Sequence, residues 1–382
     1  MKITHVISDS NVGGAGVLLC RILEGLSDEF DEEVVLPEGS ALCSILPKGV
    51  RVTELPIAKD ASFRRSDIAK LRRHFSATKP DILHTHASFS ARVAGRLEGV
   101  PTLLSTRHCA KGQVSRSPLY RTLYDRVTDL TVSTALFATQ NLIREGVPAN
   151  KTITIPNGSP ERTPLSFEER MARRASLGVA PDDFLLGSVA RLETIKGQDL
   201  MIEALARLLP AHGNLYLMLV GDGSAAPLYK RLAEELGVGH RVLFIGYVKD
   251  AFPYQNLIDL NLNASRGTET TCLATSECMS LGIPTVASDF GGNPEMICDG
   301  ESGLLFPSED LGALVDAIHR VVIDRRLYHE LSLGARRVYE TKFSLSRMLE
   351  RYRRLYRSLA HKSLLPDLWK MISDEDPFSF GT

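Results

Sequence analysis

Short apolar runs rich in Val, Ile and Leu alternate along this chain with longer stretches whose hydrophobic positions recur every three or four residues. A brief apolar run bounded by turn residues reads as a strand buried on both faces, and the longer spacing as an amphipathic helix. In the first half the strand-like runs fall at residues 2–9, 33–37, 51–57, 81–86, 102–108, 130–133 and 152–156. Helical spacing fills intervals at 16–26, 66–75, 90–97, 119–127 and 136–145. Strands and helices in turn predict βαβ units and a parallel sheet.

The alternation then breaks at Pro156-Asn-Gly-Ser-Pro-Glu-Arg-Thr-Pro164, where prolines and a glycine interrupt any regular element. It resumes with strand-like runs at 184–190, 215–220, 242–247, 257–263, 285–288 and 304–306, again with helices between. At 382 residues the chain is too long for one ordinary core. The expected fold is therefore α/β, with two Rossmann-like, doubly wound parallel-sheet domains facing a cleft. Residues 1–160 form the first, 161–178 the linker, with a leading helix in its charged stretch 168–174, and 179–340 the second. Residues 341–382, helical and Arg-rich to about 362, are expected to cross back to the N-terminal domain.

Composition narrows the classes. Hydrophobic residues make up 43% and charged residues 24%, with a formal net charge of -1, so nothing drives the chain toward nucleic acid. No apolar run approaches the roughly 18 residues that span a bilayer, and the N-terminus reads as a strand, not a signal peptide. The six cysteines show no CxxC and no clustering with histidine, which fits packing roles in a reduced, cytoplasmic setting.

Ligands of doubly wound folds bind outside the carboxyl ends of the strands, so candidate chemistry is sought there. The first strand runs into Ser10-Asn-Val-Gly13-Gly14-Ala-Gly16, a glycine loop opening a helix and suited to a phosphate. The fourth ends His84-Thr-His86 and the fifth Arg107-His108. A neutral His108 suits a hydrogen bond to a substrate hydroxyl. His84 and His86 are read as pointing to opposite faces, at least one being structural, and no metal is expected.

In the second domain Arg191 and Lys196 end a strand and enter the next loop, a pair of cations suited to a diphosphate. Gly221 sits in a tight turn, and Tyr247 with Val248 follows the third strand where backbone groups can read a base. Glu269-Thr270-Thr271-Cys272-Leu273 precedes or opens a helix read at 271–281, stopped by Gly282 and Pro284. Glu269 would lie beside its N-terminus, where free N–H groups favour an anion, and Glu277 about two turns inside.

These fragments, in this order and spacing, resemble the GT-B glycosyltransferases of family 4, the retaining nucleotide-sugar-dependent group, over nearly the whole chain. The resemblance rests on the Gly13-Gly14 loop, Asp81-x-x-His84-x-His86, Ile155-Pro-Asn-Gly158, Arg191 with Lys196-Gly197, and Val220-Gly-Asp-Gly223. It continues through the Glu269/Glu277 pair, Gly282-Ile-Pro-Thr-Val-Ala and Gly291-Gly-x-Pro-Glu295. It implies that Arg191 and Lys196 hold the donor diphosphate, Glu277 the ribose and Glu269 the transferring sugar. It implies also that His108 meets the sugar's 6-position while Gly13 and Gly14 close over the phosphates. The family most often reads Glu-Gly-Phe-Gly where this chain has Glu269-Thr-Thr-Cys272, a departure that bears on the donor sugar more than on activity.

By the same resemblance the donor is a UDP- or GDP-sugar, a co-substrate needing no cofactor or metal, and the acceptor a glycan or lipid-linked sugar in cell-surface polysaccharide or glycolipid synthesis. The acceptor side would be the N-terminal domain, with His84, His86, Arg107 and Lys111. Basic residues there (Arg64, Arg65, Lys70, Arg72 and Arg73, near Phe63) suit peripheral contact with the inner face of an anionic membrane. A nucleotide-sugar 2-epimerase shares this architecture and is the alternative; a non-catalytic sugar-nucleotide-binding protein is a weaker one. A dehydrogenase is disfavoured because the full glycine fingerprint is missing.

Overall fold

The computed structural model describes residues 1–10, 12–86, 88–108 and 118–360, with only the backbone at 118–120. It divides into two compact units, Met1–Gly158 together with the segment from Leu345, and Ser159–Ser344.

The first unit holds strands β1 (Lys2–Ile7), β2 (Asp31–Pro37), β3 (Arg51–Leu55), β4 (Ile82–His86), β5 (Thr102–Arg107), β6 (Leu130–Ser133) and β7 (Thr152–Thr154). Helices α1 (Gly14–Leu26), α2 (Arg65–Thr78), α3 (Phe89–Leu97), α4 (Pro118–Arg126) and α5 (Leu136–Arg144) connect them. All pairings are parallel, in the order β3-β2-β1-β4-β5-β6-β7. The order reverses between β1 and β4, which opens a crevice at their carboxyl ends.

The second unit begins with α6 (Phe167–Ser176) and continues through β8 (Phe184–Val189), α7 (Gln198–Leu208), β9 (Leu215–Val220), α8 (Ala226–Glu235) and β10 (Val242–Gly246). Then come α9 (Phe252–Gln255), β11 (Leu260–Asn263), α10 (Leu273–Ser280), β12 (Thr285–Ser288), α11 (Asn293–Met296), β13 (Gly303–Phe306), α12 (Leu311–Ile323) and α13 (Arg325–Val338). Its parallel sheet runs β10-β9-β8-β11-β12-β13 and reverses between β8 and β11.

Two features refine the sequence reading. The helix expected in the charged stretch after the proline-rich break is α6, at Phe167–Ser176. A reciprocal cap between Ser166 and Glu169 starts α6. Arg170 and Arg174 then hold Asp259 at 2.6 and 2.9 Å, which fastens the helix within the second unit. The C-terminal stretch is helical but interrupted. A π turn at Tyr339–Phe343 ends α13, extended Ser344 breaks the chain, and α14 (Leu345–Ala360) belongs to the first unit. Met348, Tyr352, Leu355 and Tyr356, at helical spacing, bury against Ile3, Leu18, Ile22 and Leu104. At about 1.5–3 kcal/mol for each large side chain, that face makes α14 integral to the first core. Residues 361–382 lie outside the described residues.

Candidate functional site

At the reversal point of the second sheet, β8 runs into Ala190-Arg191 and the tight turn Thr194–Lys196, while β11 runs into the loop 264–272. This brings Lys196 Nζ within 2.7 Å of Glu269 Oε2, across seventy-three residues of sequence. Ser265 Oγ donates to the same oxygen at 2.7 Å, so Glu269 is held from two sides and is 7% exposed. Burial pushes the Lys196 ammonium down, but the Glu269 charge outweighs it and the net shift is upward. Arg191, exposed and close enough to oppose that rise, adds a second cation.

The loop carrying Glu269 is fixed by backbone packing. Ser288 Oγ donates to Ser265 O at 2.7 Å, and Asn263 Oδ1 accepts from Ser265 N at 3.2 Å. Gly291 takes φ +66, and a Cβ there would lie 2.7 Å from Glu269 O. At Gly292 one would come within 2.4 Å of Thr270 O. Gly221 is constrained in the same way: φ is +135 and a Cβ would meet Ala190 O at 2.1 Å. Thr270 and Thr271 are buried, and Cys272 is the N-cap of α10, its thiol facing Thr275 in the first turn. Leu273 is its first residue. Burial, then the Glu269 charge, raises the Cys272 thiol, which stays protonated.

Glu277 is the fifth residue of α10, little more than one turn in rather than two, because the helix begins at Leu273. Gln255 Nε2 donates to its Oε2 at 3.0 Å. Tyr247 stands 73% exposed just past Gly246, whose carbonyl accepts from Gly221 N at 2.9 Å, and Val248 packs beside Leu257 and Ile258. The second-unit candidates thus collect along one edge of one sheet. Asn263, Ser265, Lys196, Glu269 and Cys272 line a cavity of about 20 Å³ there, room for roughly one water.

The first unit gathers a different set at its own reversal point. Gly13 is the N-cap of α1 and Gly14 its first residue; a Cβ at either would meet nothing within 4 Å, so packing does not require glycine there. His84 and His86 do not point to opposite faces. Residues two apart in a strand share a face, and their ring centroids lie 4.4 Å apart. Both are fully buried and bonded inward, so neither has exposed surface to offer an acceptor. Arg107 is likewise buried, at 6% exposure. Lys111 lies outside the described residues. His108 is half-buried, with its imidazole pushed down to about 4 by burial and the Arg107 charge, so it is neutral near pH 7. Sequence reasoning missed Ser265, Gln255, His5 and Glu32. Only Ser265, at the head of the acidic run, carried a local signal.

The chain matches the family models Glycosyltransferase Family 4 over residues 12–160 and Glycosyl transferases group 1 over residues 169–338. EpsD of Bacillus subtilis is 30% identical over 217 residues, which is 57% of this chain and 56% of that protein. The UDP-Gal:alpha-D-GlcNAc-diphosphoundecaprenol alpha-1,3-galactosyltransferase of Escherichia coli is 24% identical over 93% of this chain and 98% of its own. Among solved structures, Anabaena HepE in complex with UDP superposes with a TM-score of 0.82 at 22% identity, over 94% of this chain and 100% of that one.

Proposed function

The chain belongs to the group 1, family 4 glycosyltransferases, and from that premise we propose that it moves a hexose from a UDP-sugar to a glycan or lipid-linked acceptor, with retention at the anomeric carbon. The observation that carries this reading is the Lys196–Glu269 pair at 2.7 Å, at the strand reversal of the second unit and beside the N-terminus of α10. A diphosphate is the ligand that such a pair suits. Its charge draws Lys196 away from Glu269, with Arg191 as a second cation and the α10 donors as a third source of positive potential. Glu269, released, accepts from hydroxyls of the sugar. Glu277 takes the ribose, and backbone groups at Tyr247 and Val248 take the base, with the Gly13-Gly14 loop over the phosphates.

The chemistry follows from these placements. As the glycosidic bond to the diphosphate breaks, charge accumulates on the leaving oxygens and is met by Arg191, Lys196 and the helix start. His108, neutral, accepts from a hydroxyl of the sugar and fixes its orientation. Uracil is favoured over guanine because the Escherichia coli relative is named for a UDP-sugar and HepE was crystallised with UDP. The chain docks reversibly on anionic membrane through Arg64, Arg65 and Arg73 around Phe63, which is 49% exposed.

Thermal-shift measurement against UDP-, GDP- and ADP-sugars tests the donor. At a hundredfold excess over Kd, binding stabilises the protein by about 2.7 kcal/mol, so only the UDP series is expected to raise Tm by several degrees. No response to any UDP-sugar would refute the proposal. Incubation with donor alone is expected to yield no isomerised sugar.

A further inference from the structure

Three adjacent strands of the first sheet, and the residue that follows a fourth, each contribute one polar side chain to a continuous row. Glu32 comes from β2, His5 from β1, His86 from β4, and His108 follows β5. Glu32 Oε1 lies 3.1 Å from His5 Nε2, His5 Nδ1 lies 3.3 Å from His86 Nε2, and His86 Nδ1 lies 3.1 Å from His108 Nε2. The register explains the row. Glu32 pairs with Ile3, His86 with Ile7 and Thr106 with His86, so each step advances two residues toward the carboxyl ends while staying on one face. Glu32 is 5% exposed, His5 and His86 not at all. The row therefore begins in the core and surfaces only at His108.

His84 lies beside this row and outside it. Its Nδ1 meets the Tyr356 hydroxyl and its Nε2 the Thr106 hydroxyl, both at 2.7 Å. The ring nitrogens of His5, His84 and His86 lie within 4.8 Å of one another, a spacing a cation can use. Each of those nitrogens already has a protein partner, and the terminal partner of the row is a carboxylate.

Proton order along the row follows from that carboxylate. An ionised carboxylate only accepts, and a neutral imidazole donates at one nitrogen and accepts at the other. His5 therefore donates from Nε2 and accepts at Nδ1, His86 does the same, and so does His108. The tautomers are assigned from the network. Burial holds His86 well below its usual range and His108 at about 4, which keeps both rings neutral as this ordering needs.

We propose that Glu32 is a positioning residue for His108: through His5 and His86 it fixes the Nε2–H tautomer and leaves Nδ1 as the acceptor that meets the sugar hydroxyl. The sugar contact rests on the reading of His108 given above, whereas the tautomer does not. With a neutral amide at position 32, either direction of the row is satisfied, and His108 can present Nδ1–H instead, a donor where an acceptor is wanted. Hydrogen bonds in series polarise one another, so the carboxylate also strengthens Nδ1 as an acceptor.

The test is two-bond 1H–15N correlation on the full chain with 15N-labelled histidine at neutral pH, His108 being identified by the signal lost in His108→Gln. His108 is expected to be protonated on Nε2 in the wild-type chain, and averaged or reversed in Glu32→Gln. That variant is expected to lower kcat on the order of ten- to a hundredfold, as losing an outer partner of an oriented histidine typically does, with donor KM unchanged. Tyr356→Phe, which frees only His84, is expected to leave the His108 tautomer as it was. Should Glu32→Gln not fold, His5→Gln interrupts the row one strand nearer and carries the same expectation. A wild-type Nδ1–H tautomer, or one unchanged in both variants, overturns the proposal. So does a stoichiometric metal whose removal shifts these rings. A reversed tautomer with undiminished turnover upholds the row and overturns the sugar contact instead.

Discussion

At the strand reversal of the second unit a lysine and a glutamate lie 2.7 Å apart, with 18% and 8% of their side chains exposed. At the reversal of the first unit the polar groups are imidazoles, and burial holds those of His84, His86 and His108 below their usual range. One architecture thus sets an ion pair at one crevice and a row of neutral rings, ended by a buried carboxylate, at the other. Beside water, opposite charges neutralise each other yet stay available to a ligand that outcompetes the partner. In a dry row, neutral rings carry a direction set by one buried carboxylate, so only that group bears the cost of ionic desolvation. On the proposed reading the second unit binds an anion and the first orients a hydroxyl.

Acid gives the largest way to break that contrast. Three imidazoles lowered in the folded state bind no proton there, while their unfolded counterparts do so below about pH 6.5. Stability is therefore present in full above that value and lost as pH falls, the folded state binding fewer protons than the unfolded one. His108 at about 4, and His84 and His86 well below their usual value, all contribute to that loss in the same direction. Hydrogen exchange read by mass spectrometry is expected to show the first unit opening between about pH 6.5 and pH 4.5 while the second holds. Equal protection of both units across that range would contradict the contrast.

Removal of charge in the second unit comes next. Glu269→Gln keeps the shape and is expected to cost on the order of a hundred- to a thousandfold in kcat, the scale of a lost transition-state contact. Glu269→Ala abolishes measurable transfer with little loss of fold, because Lys196 can turn to solvent. Lys196→Ala is expected to raise donor KM roughly ten- to a hundredfold, the worth of one charge-assisted hydrogen bond, with less effect on kcat. If both variants turned over sugar at near wild-type rates, the roles assigned to this pair would be wrong.

Much of this was legible along the chain, for a physical reason. Strands buried on both faces appear as continuous apolar runs, so both sheets and nearly all their strands follow from the pattern alone. Within residues 161–178 the charged stretch 168–174 announced a helix after the break at Pro156 to Pro164, while the Ser166/Glu169 cap that starts α6 went unread. The contact of Lys196 with Glu269 could not be seen in spacing, since it depends on β8 lying next to β11. His5 and Glu32 were invisible for a stricter reason. Their row exists only in the two-residue offset between strands, and no local pattern records register.

The smallest expected effect sharpens the comparison at one atom. Cys272 stands where the family most often has glycine, and its side chain borders the cavity under Glu269 together with Ser265 and Asn263. Its backbone, at φ -71 and ψ 112, suits any residue, so Cys272→Gly strains nothing and leaves a helix N-cap that glycine tolerates. What changes is room beside Glu269, the carboxylate proposed to read the sugar. A single small group in a pocket is worth about tenfold in discrimination at the low end. We therefore expect Cys272→Gly to shift the ratio of kcat/KM between two UDP-hexoses by about that factor or less, with His108 keeping its tautomer. An unchanged ratio across a panel of UDP-hexoses would show that Cys272 only packs against Met296 and plays no part in choosing the sugar.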